Sequence, residues 1–173
     1  MTSDVGSHAF GHPGITPRWT SSAKEGVGTA YATSSRVWFT LSHGVLNEIY
    51  YPTIDRPQTR DLQFLITDGE TFFHEEKHLS HQAELLDSRT LGYRVTSSAP
   101  DQGYRIEKEI IADPHQPCVL IHARLCGDPQ RLRRLKVYVL LAPHLETGRM
   151  GNFGRRQSVA GHTILTADKR STY

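Results

Sequence analysis

The chain has 173 residues, 37% of them hydrophobic, and carries a formal net charge of +2 at pH 7. This length suits one domain with a compact core, and the charge gives no electrostatic reason to expect nucleic acid or an anionic membrane as a partner. No apolar stretch approaches the roughly 20 residues of a membrane-spanning helix. Residues 1–8 lack the basic and apolar segments of a signal peptide, which predicts a cytoplasmic location.

The chain begins with a segment that is expected to be irregular and continues with a long series of strand signals. Residues 1–18 are predicted to form an irregular arm, because glycine and proline are frequent between Gly11 and Pro17. Trp19 follows as an aromatic anchor, and the domain is expected to extend over 19–173. Short runs rich in aromatic and β-branched residues then alternate with Gly, Pro and Asp. The predicted strands are 28–32, 36–42, 45–50, 61–67, 71–76, 92–97, 104–111, 118–125, 134–141 and 162–167.

The turns and the spacing of these runs predict an all-β antiparallel β-sandwich. Asp68-Gly69 is a strong hairpin signal, because glycine accepts a positive φ. In 104–111, apolar and charged residues alternate, which is typical of a sheet with one face in water. The only helical candidate is a weak one at Leu79–Ser88. Strand signals every eight to twelve residues favour the sandwich over any helical fold.

The sequence also predicts the burial of two further segments. Residues 131–136 form a basic run, predicted to be a solvated turn that leads into a core strand at 137–141. Cys118 and Cys126 flank an apolar run, and on a strand they would lie roughly 26 Å apart. That separation excludes a disulfide between them. We expect two buried free thiols in a reducing compartment.

The sequence His-Glu-Glu-Lys-His at 74–78 matches the H-E-x-x-H pattern of zinc proteases. That chemistry requires a helix, on which both imidazoles reach one Zn²⁺. Here the segment continues a hairpin arm, and on a strand the two histidines would lie roughly 13 Å apart. A metalloenzyme with His81 as a third ligand is one alternative. A polar strand end with coincidental spacing is favoured, so we predict no metal ion and no cofactor.

Carboxylates are the other candidates for catalysis, and aromatic residues are the candidates for sugar binding. Glycoside hydrolysis needs two carboxylates about 5 to 9.5 Å apart, one of them held protonated. Glu107 and Glu109 would lie about 6.6 Å apart on one strand face, but Arg105 shares that face, which favours a solvated surface. The remaining acidic candidates are Glu48, Asp55, Asp61, Glu75 and Glu76. The aromatic residues that could stack on sugar rings are Trp19, Trp38, Tyr50 and Tyr51.

The neighbouring residues indicate where several of these candidates are expected to lie. Trp38 alternates within an apolar strand and is expected in the core. Tyr50 and Tyr51 are consecutive on a strand, so burial of one would leave the other facing a partner or ligand. Residues 55, 60 and 61 are predicted to share a loop that carries both charge signs. That loop is either pinned by a structural ion pair or contacts a neighbouring domain or sugar hydroxyls.

Several motifs together resemble a known family. They are Gly26-Val27-Gly28-Thr29-Ala30, Arg36-Val37-Trp38, Asn47-Glu48-Ile49-Tyr50-Tyr51-Pro52, Arg60-Asp61-Leu62, Thr67-Asp68-Gly69, Leu91-Gly92-Tyr93, Asp113-Pro114 and Leu140-Leu141-Ala142-Pro143-His144-Leu145. From Pro13 onward, the chain resembles the N-terminal β-sandwich domain of bacterial and archaeal glucoamylase- and glucodextranase-type enzymes of glycoside hydrolase family 15. The resemblance implies an antiparallel super-sandwich of the galactose-mutarotase type, here incomplete.

In that family, the sandwich precedes an (α/α)₆ barrel, which hydrolyses α-glucosidic bonds with inversion by means of two glutamates. The resemblance therefore implies a module that has no catalytic residue of its own. Such a module would dock on and stabilise a helical-barrel domain, in cis or on a separate chain. An α-glucan or glucooligosaccharide would be a partner through the full enzyme.

The segment Tyr50–Asp61 is the expected contact loop at the rim of the active site. The candidate residues for substrate or domain contact are Glu48, Tyr50, Tyr51, Asp55, Arg60 and Asp61. An autonomous carbohydrate-binding module that uses exposed aromatic residues is the alternative function. An incomplete sandwich would also expose strand edges, which predicts a homodimer through those edges.

Overall fold

The computed structural model of the chain describes residues 7–8, 20–147 and 150–169. The predicted arm, apart from residues 7–8, and Trp19 lie outside the described residues. Almost all regular structure in the described part is antiparallel strand, arranged in three sheets. The prediction of an all-β antiparallel sandwich is therefore confirmed. No described helix is long and apolar enough to cross a membrane.

The strands of the described residues are β1 (Ser7–His8), β2 (Gly26–Thr29), β3 (Trp38–Ser42), β4 (Val45–Tyr50), β5 (Thr59–Thr67), β6 (Phe73–Glu75), β7 (Ser80–Leu85), β8 (Tyr93–Ala99), β9 (Tyr104–Ala112), β10 (Val119–Gly127), β11 (Lys136–Pro143), β12 (Asn152–Val159) and β13 (His162–Lys169). One sheet has the order β11-β5-β4-β3-β2, with β6 also paired to β5. A second sheet has the order β10-β9-β8-β7, and the third has the order β1-β12-β13.

The core lies between the first and second sheets, in two clusters of buried apolar residues. The first cluster joins β3 and β4 to β8 and β9 and includes Phe39, Leu46, Val95 and Ile110. The second cluster joins Ile66 of β5 to residues of β8 and β9. Period-two alternation puts these side chains on the inner faces. In β9, burial alternates strictly along the strand, as its sequence predicts.

The helix predicted at Leu79–Ser88 is wrong, because this segment contains β7. Residues 82–86 are good helix formers, so local propensity favours a helix there. Pairing with β8 over its whole length overrides that preference. Its side chains alternate between half-buried and exposed over the first four residues, as in a strand at the edge of a sheet. Tertiary pairing decided the conformation.

Strand β12 had no signal in the sequence, because glycine and charged residues interrupt any alternation. It pairs with β13 over eight residues. The turn between them uses Ala160 and Gly161, both at positive φ (48° and 81°). A two-residue turn of this kind matches the twist of the flanking strands. Strand β1 pairs with the other edge of β12.

The strand that follows the basic run and the two cysteines are more exposed than expected. A one-turn helix, α1 (Pro129–Leu132), begins after Asp128, whose carboxylate accepts the N–H groups of residues 130 and 131. The following strand, β11, is an edge strand with exposed apolar residues, so the prediction of a core strand at 137–141 is wrong. Cys118 and Cys126 are free but half-buried rather than buried, because β10 is also an edge strand.

Trp38 also departs from its predicted place. Its neighbours Val37 and Phe39 are buried in the first core cluster, whereas Trp38 is half-buried and belongs to neither cluster. Successive residues of a strand face opposite sides. The face of β3 that meets the second sheet is therefore the one that carries Phe39.

Candidate functional site

A β-bulge separates the polar residues of β4 from the core. Leu41 pairs with Leu46 and Phe39 pairs with Ile49, so two steps along β3 match three along β4. The extra residue keeps both Leu46 and Ile49 packed in or against the first core cluster. The residues of this stretch outside both clusters are Asn47, Glu48 and Tyr50.

Glu48 and Tyr50, two of the predicted contact residues, bind each other. The Tyr50 hydroxyl donates a 2.6 Å hydrogen bond to Glu48 Oε2, and Lys24 Nζ lies 2.8 Å from the same oxygen. Burial, together with the Glu48 carboxylate, raises the pKa of Tyr50, so this phenol stays protonated. Both side chains are half-buried in a network at the sheet surface.

Arg60 and Asp61 lie in β5, so their predicted placement in a loop is wrong. Arg60 Nε and Nη2 donate to the two Asp61 carboxylate oxygens at 2.9 and 3.1 Å. Only 3% of the Arg60 side chain and 11% of the Asp61 side chain are exposed. Bidentate geometry makes this a strong, oriented pair. It is the structural ion pair that the sequence left as one alternative.

The loop between β4 and β5 holds the other two candidates, Tyr51 and Asp55. The Tyr51 N–H donates to the carbonyl of Arg56, which closes the loop, and the Tyr51–Pro52 peptide bond is cis. Asp55 is exposed and forms no ion pair with a described residue. A hydrogen bond from Thr53 is the main cause that lowers the pKa of Asp55.

The end of this loop is anchored to the segment that follows β11. Gln58 accepts the His144 N–H on its carbonyl at 2.9 Å and the Glu146 N–H on Oε1 at 3.0 Å. Pro57 accepts the Thr147 N–H at 3.2 Å. The loop tip is left open, with Ile54 exposed. The loop therefore lies beside the carboxyl end of β11.

A polar cleft of about 340 Å³ lies beside these residues. Its lining includes Ser42, Asn47, Arg60, Asp61, Lys77 and His78. Four of these, Ser42, Asn47, Arg60 and Asp61, are buried in the described structure. The sequence predicted Arg60 and Asp61 but not Ser42 or Asn47. The available signal was a polar residue within an otherwise apolar run.

The two histidines of the H-E-x-x-H match have different surroundings. His74 lies in β6, and its Nδ1 is 2.8 Å from the Tyr104 hydroxyl. His78 lies in the 3-10 turn Glu76–His78 and is exposed. The strand therefore ends at Glu75, one residue before the end that the sequence predicted. Within the described residues, no group of three or more His, Cys, Asp or Glu could hold a metal ion.

The turn at Glu76 instead supplies a buried ion pair that joins the two sheets. Lys108 Nζ of β9 lies 2.5 Å from Glu76 Oε1 and donates to the carbonyl of Gly44 at 2.7 Å. Glu76 also accepts hydrogen bonds from Ser97 Oγ at 3.1 Å and from the Phe64 N–H at 3.0 Å. Burial lowers the pKa of Lys108, and the Glu76 carboxylate opposes that shift. Only the tertiary structure reveals this pair.

Glu107 and Glu109 lie on the outer face of β9, as the sequence predicts. Arg94 binds Glu109 at 3.0 Å, and Arg124 and Arg105 bind Glu107 at 2.5 and 2.7 Å. Hydrogen bonds from Arg124 and Arg105 lower the pKa of Glu107 to about 2. A carboxylate with so low a pKa cannot serve as the protonated member of a glycosidase pair near neutral pH.

Comparison with known proteins identifies close relatives. The family model described as "Glucodextranase, domain N" matches residues 9–173. A glucoamylase from Clostridium sp. (strain G0005) is 32% identical over 166 residues, which cover 95% of this chain and 24% of the relative. The crystal structure of a bacterial glucoamylase complexed with acarbose superposes with a TM-score of 0.88 at 30% identity.

That structural match covers 95% of this chain and 25% of the glucoamylase chain. The chain thus spans about a quarter of the length of the relatives it matches. The family model covers nearly the whole chain, and the superposition extends over the same share. The chain therefore belongs to the glucodextranase domain N family, the N-terminal β-sandwich domain of glucoamylase-type enzymes.

Proposed function

We propose that this chain is the first, non-catalytic part of an α-glucan hydrolase, and that it docks on and stabilises a helical-barrel catalytic domain. In this proposal, the barrel carries out the inverting hydrolysis of α-glucosidic bonds, in cis or on a separate chain. The α-glucan is a substrate of the assembled enzyme. The relatives support this assignment, since one is a glucoamylase and the other is a glucoamylase complexed with acarbose.

The observation that carries the docking role is the open, apolar edge strand β11. Val137, Val139 and Leu141 lie on one side of it and Tyr138 on the other, and each is between 44% and 58% exposed. No described strand pairs with its outer edge. A long apolar edge without charges in its middle is a template for a further strand or a partner surface. Soluble proteins rarely leave such an edge uncovered.

The predicted contact loop is continuous with this edge. Pro143 at the end of β11 pairs with Thr59, directly after the loop. Tyr51 and Ile54 add exposed apolar surface to the loop, at 37% and 69%. We call β11 together with residues 51–58 the docking edge. A partner that covers β11 would therefore also meet Tyr51 and Asp55.

A chimeric enzyme tests the docking role. In it, this chain replaces the matched segment of the Clostridium glucoamylase. Val139→Lys in the chimera is expected to lower the Tm and the turnover of maltooligosaccharides. The same substitution in the 173-residue chain should leave its free energy of unfolding nearly unchanged, because the side chain is exposed there.

The matched control is Leu120→Lys, on the edge strand of the other sheet, where the side chain is 45% exposed. It should change neither protein. Equal losses from both substitutions in the chimera would contradict a docking edge at β11. The predicted homodimer would use the same edge, and sedimentation of the 173-residue chain with and without Val139→Lys tests it.

A further inference from the structure

Asn47 carries an amide group whose donors are unused. Its Oδ1 accepts from Lys24 Nζ at 2.7 Å and from Thr20 Oγ1 at 2.5 Å. Lysine is a donor only, so this oxygen must face it and the NH₂ group must face the other way. The residue is only 4% exposed, and Nδ2 donates to no described residue. Its two hydrogens therefore have no acceptor among the residues that the structure describes.

Arg60 has one unused nitrogen in the same place. Its Nε and Nη2 are taken by Asp61, whereas Nη1 donates to no described residue. The Arg60 residue is 3% exposed. Bidentate pairing with Asp61 fixes the plane of the guanidinium. The direction of the remaining N–H groups is therefore fixed as well.

The two residues with unused donors share one solvent-accessible cleft. Within the described structure, no buried side-chain nitrogen or oxygen lacks a hydrogen-bond partner. Nδ2 of Asn47 and Nη1 of Arg60 must therefore be reached by solvent. Both residues line the polar cleft. Two unused donors on nearly buried residues that line one cavity favour a ligand that brings acceptor oxygens.

The charges of the cleft favour a neutral ligand over an anion. Asp61 neutralises Arg60 within the cleft. Lys77 is neutralised by Glu75, whose Oε2 lies 2.6 Å from its Nζ. An isolated carboxylate or phosphate would find no unpaired cation among these described side chains. Hydroxyl oxygens accept hydrogen bonds without bringing a charge, and at about 340 Å³ the cleft is at the small end of ligand sites.

We propose that the polar cleft binds a neutral sugar residue, in which hydroxyl oxygens accept hydrogen bonds from Asn47 Nδ2 and Arg60 Nη1. The class of ligand, a polyol, follows from the cleft. The choice of a glucosyl residue of an α-glucan rests on the function proposed above. The cleft is open and offers few donors, so the complex is expected to be in the millimolar range.

The test is a titration of the isotopically labelled 173-residue chain with maltose, followed by NMR. The reporters are the side-chain resonances of Asn47 and Arg60. Saturable shifts of both, at concentrations up to about 50 mM, are expected. Sodium acetate serves as the anionic probe and should give no saturable shift. Docking to a barrel plays no part in this measurement, so its failure is distinguishable from failure of the docking proposal.

Two variants test the donors themselves. Asn47→Asp keeps the oxygen that faces Lys24 and removes both amide donors, so it should weaken maltose binding about tenfold or more. The pair Arg60→Met with Asp61→Leu replaces the ion pair by apolar groups of similar size, a change that buried pairs often tolerate. It should abolish binding. Gln116→Glu makes the same change from amide to carboxylate at an exposed residue outside the lining of the cleft, so it is the control and should bind as the unchanged chain does.

The outcomes are distinct. Saturable maltose shifts that Asn47→Asp weakens support the sugar site. The absence of any saturable shift in the folded, unchanged chain overturns it. Equal maltose affinity in Asn47→Asp also overturns it, as does saturable binding of acetate in place of maltose. The unchanged chain and Asn47→Asp suffice for this decision, even if the double variant does not fold.

Discussion

The ring of Phe39 fills the space in which a side chain on Gly28 would lie. A methyl group at that glycine would be 2.1 Å from Cζ of Phe39. The two residues are cross-strand partners in β2 and β3, and Phe39 is fully buried in the first core cluster. Glycine is therefore required at position 28 by packing.

We expect Gly28→Ala to destabilise the chain by about 1–3 kcal/mol, because the ring cannot leave its place in a close-packed core without strain. Urea unfolding measures the change. Combining it with Phe39→Leu should cost less than the sum of the two single changes, because the smaller side chain releases the clash. Strict additivity of the two substitutions would contradict this account.

The ion pair between Lys108 and Glu76 gives a second prediction. Lys108→Met leaves the Glu76 carboxylate buried without its cation, which should cost about 3–5 kcal/mol of unfolding free energy. Adding Glu76→Leu removes the stranded charge, so the double variant should regain part of that loss. Denaturant unfolding of the four proteins measures the coupling. A double variant as unstable as the sum of the singles would refute the interpretation of a buried pair.

The ion pairs of Glu107 on the outer face of β9 predict that the stability of the chain depends on pH in the acid range. The pKa of Glu107 is about 2 in the folded chain, against 4.5 as the ordinary value. The unfolded state therefore binds more protons between these values, so stability from this group is present above pH 4.5 and is lost as pH falls towards 2. Glu107→Gln should flatten this part of the stability curve. An unchanged slope between pH 2 and 4.5 would contradict the pairing with Arg124 and Arg105.

Substitutions of Tyr50 and Asp55 distinguish a structural role from a docking role. Tyr50→Phe removes the hydrogen bond to half-buried Glu48 and should lower the stability of the 173-residue chain by about 1 kcal/mol. Asp55→Ala changes an exposed loop residue and should leave that stability unaltered.

In the chimeric enzyme, Asp55→Ala should lower the Tm, because we place the loop against the barrel. Differential scanning calorimetry of chain and chimera, each with and without the substitution, makes the comparison. An unchanged chimera would remove Asp55 from the docking edge. A destabilised isolated chain would instead assign it a role within the loop.

The sequence by itself determined the strands whose residues alternate and the turns between them. Residues 45–50 could be predicted because β-branched and aromatic residues favour a strand. The alternating face of 104–111 could be predicted because side chains of a strand point to opposite sides in turn. The hairpin at Asp68-Gly69 could be predicted because Gly69 adopts a φ of 87°, which few other residues tolerate. The motifs were also sufficient to recognise the family.

Only the tertiary structure decided which polar residues meet. Glu76 and Lys108 are more than thirty positions apart, and nothing local marks either as the partner of the other. Arg60 and Asp61 read as loop residues because a charged pair is rare inside a strand, yet their mutual neutralisation allows burial in β5. Asn47 and Arg60 lie on different strands, and their shared cleft depends on the bulge in β4 and on sheet register. Alternation is a local property that the chain carries in its order, whereas register and the packing of two sheets are set by contacts between distant segments.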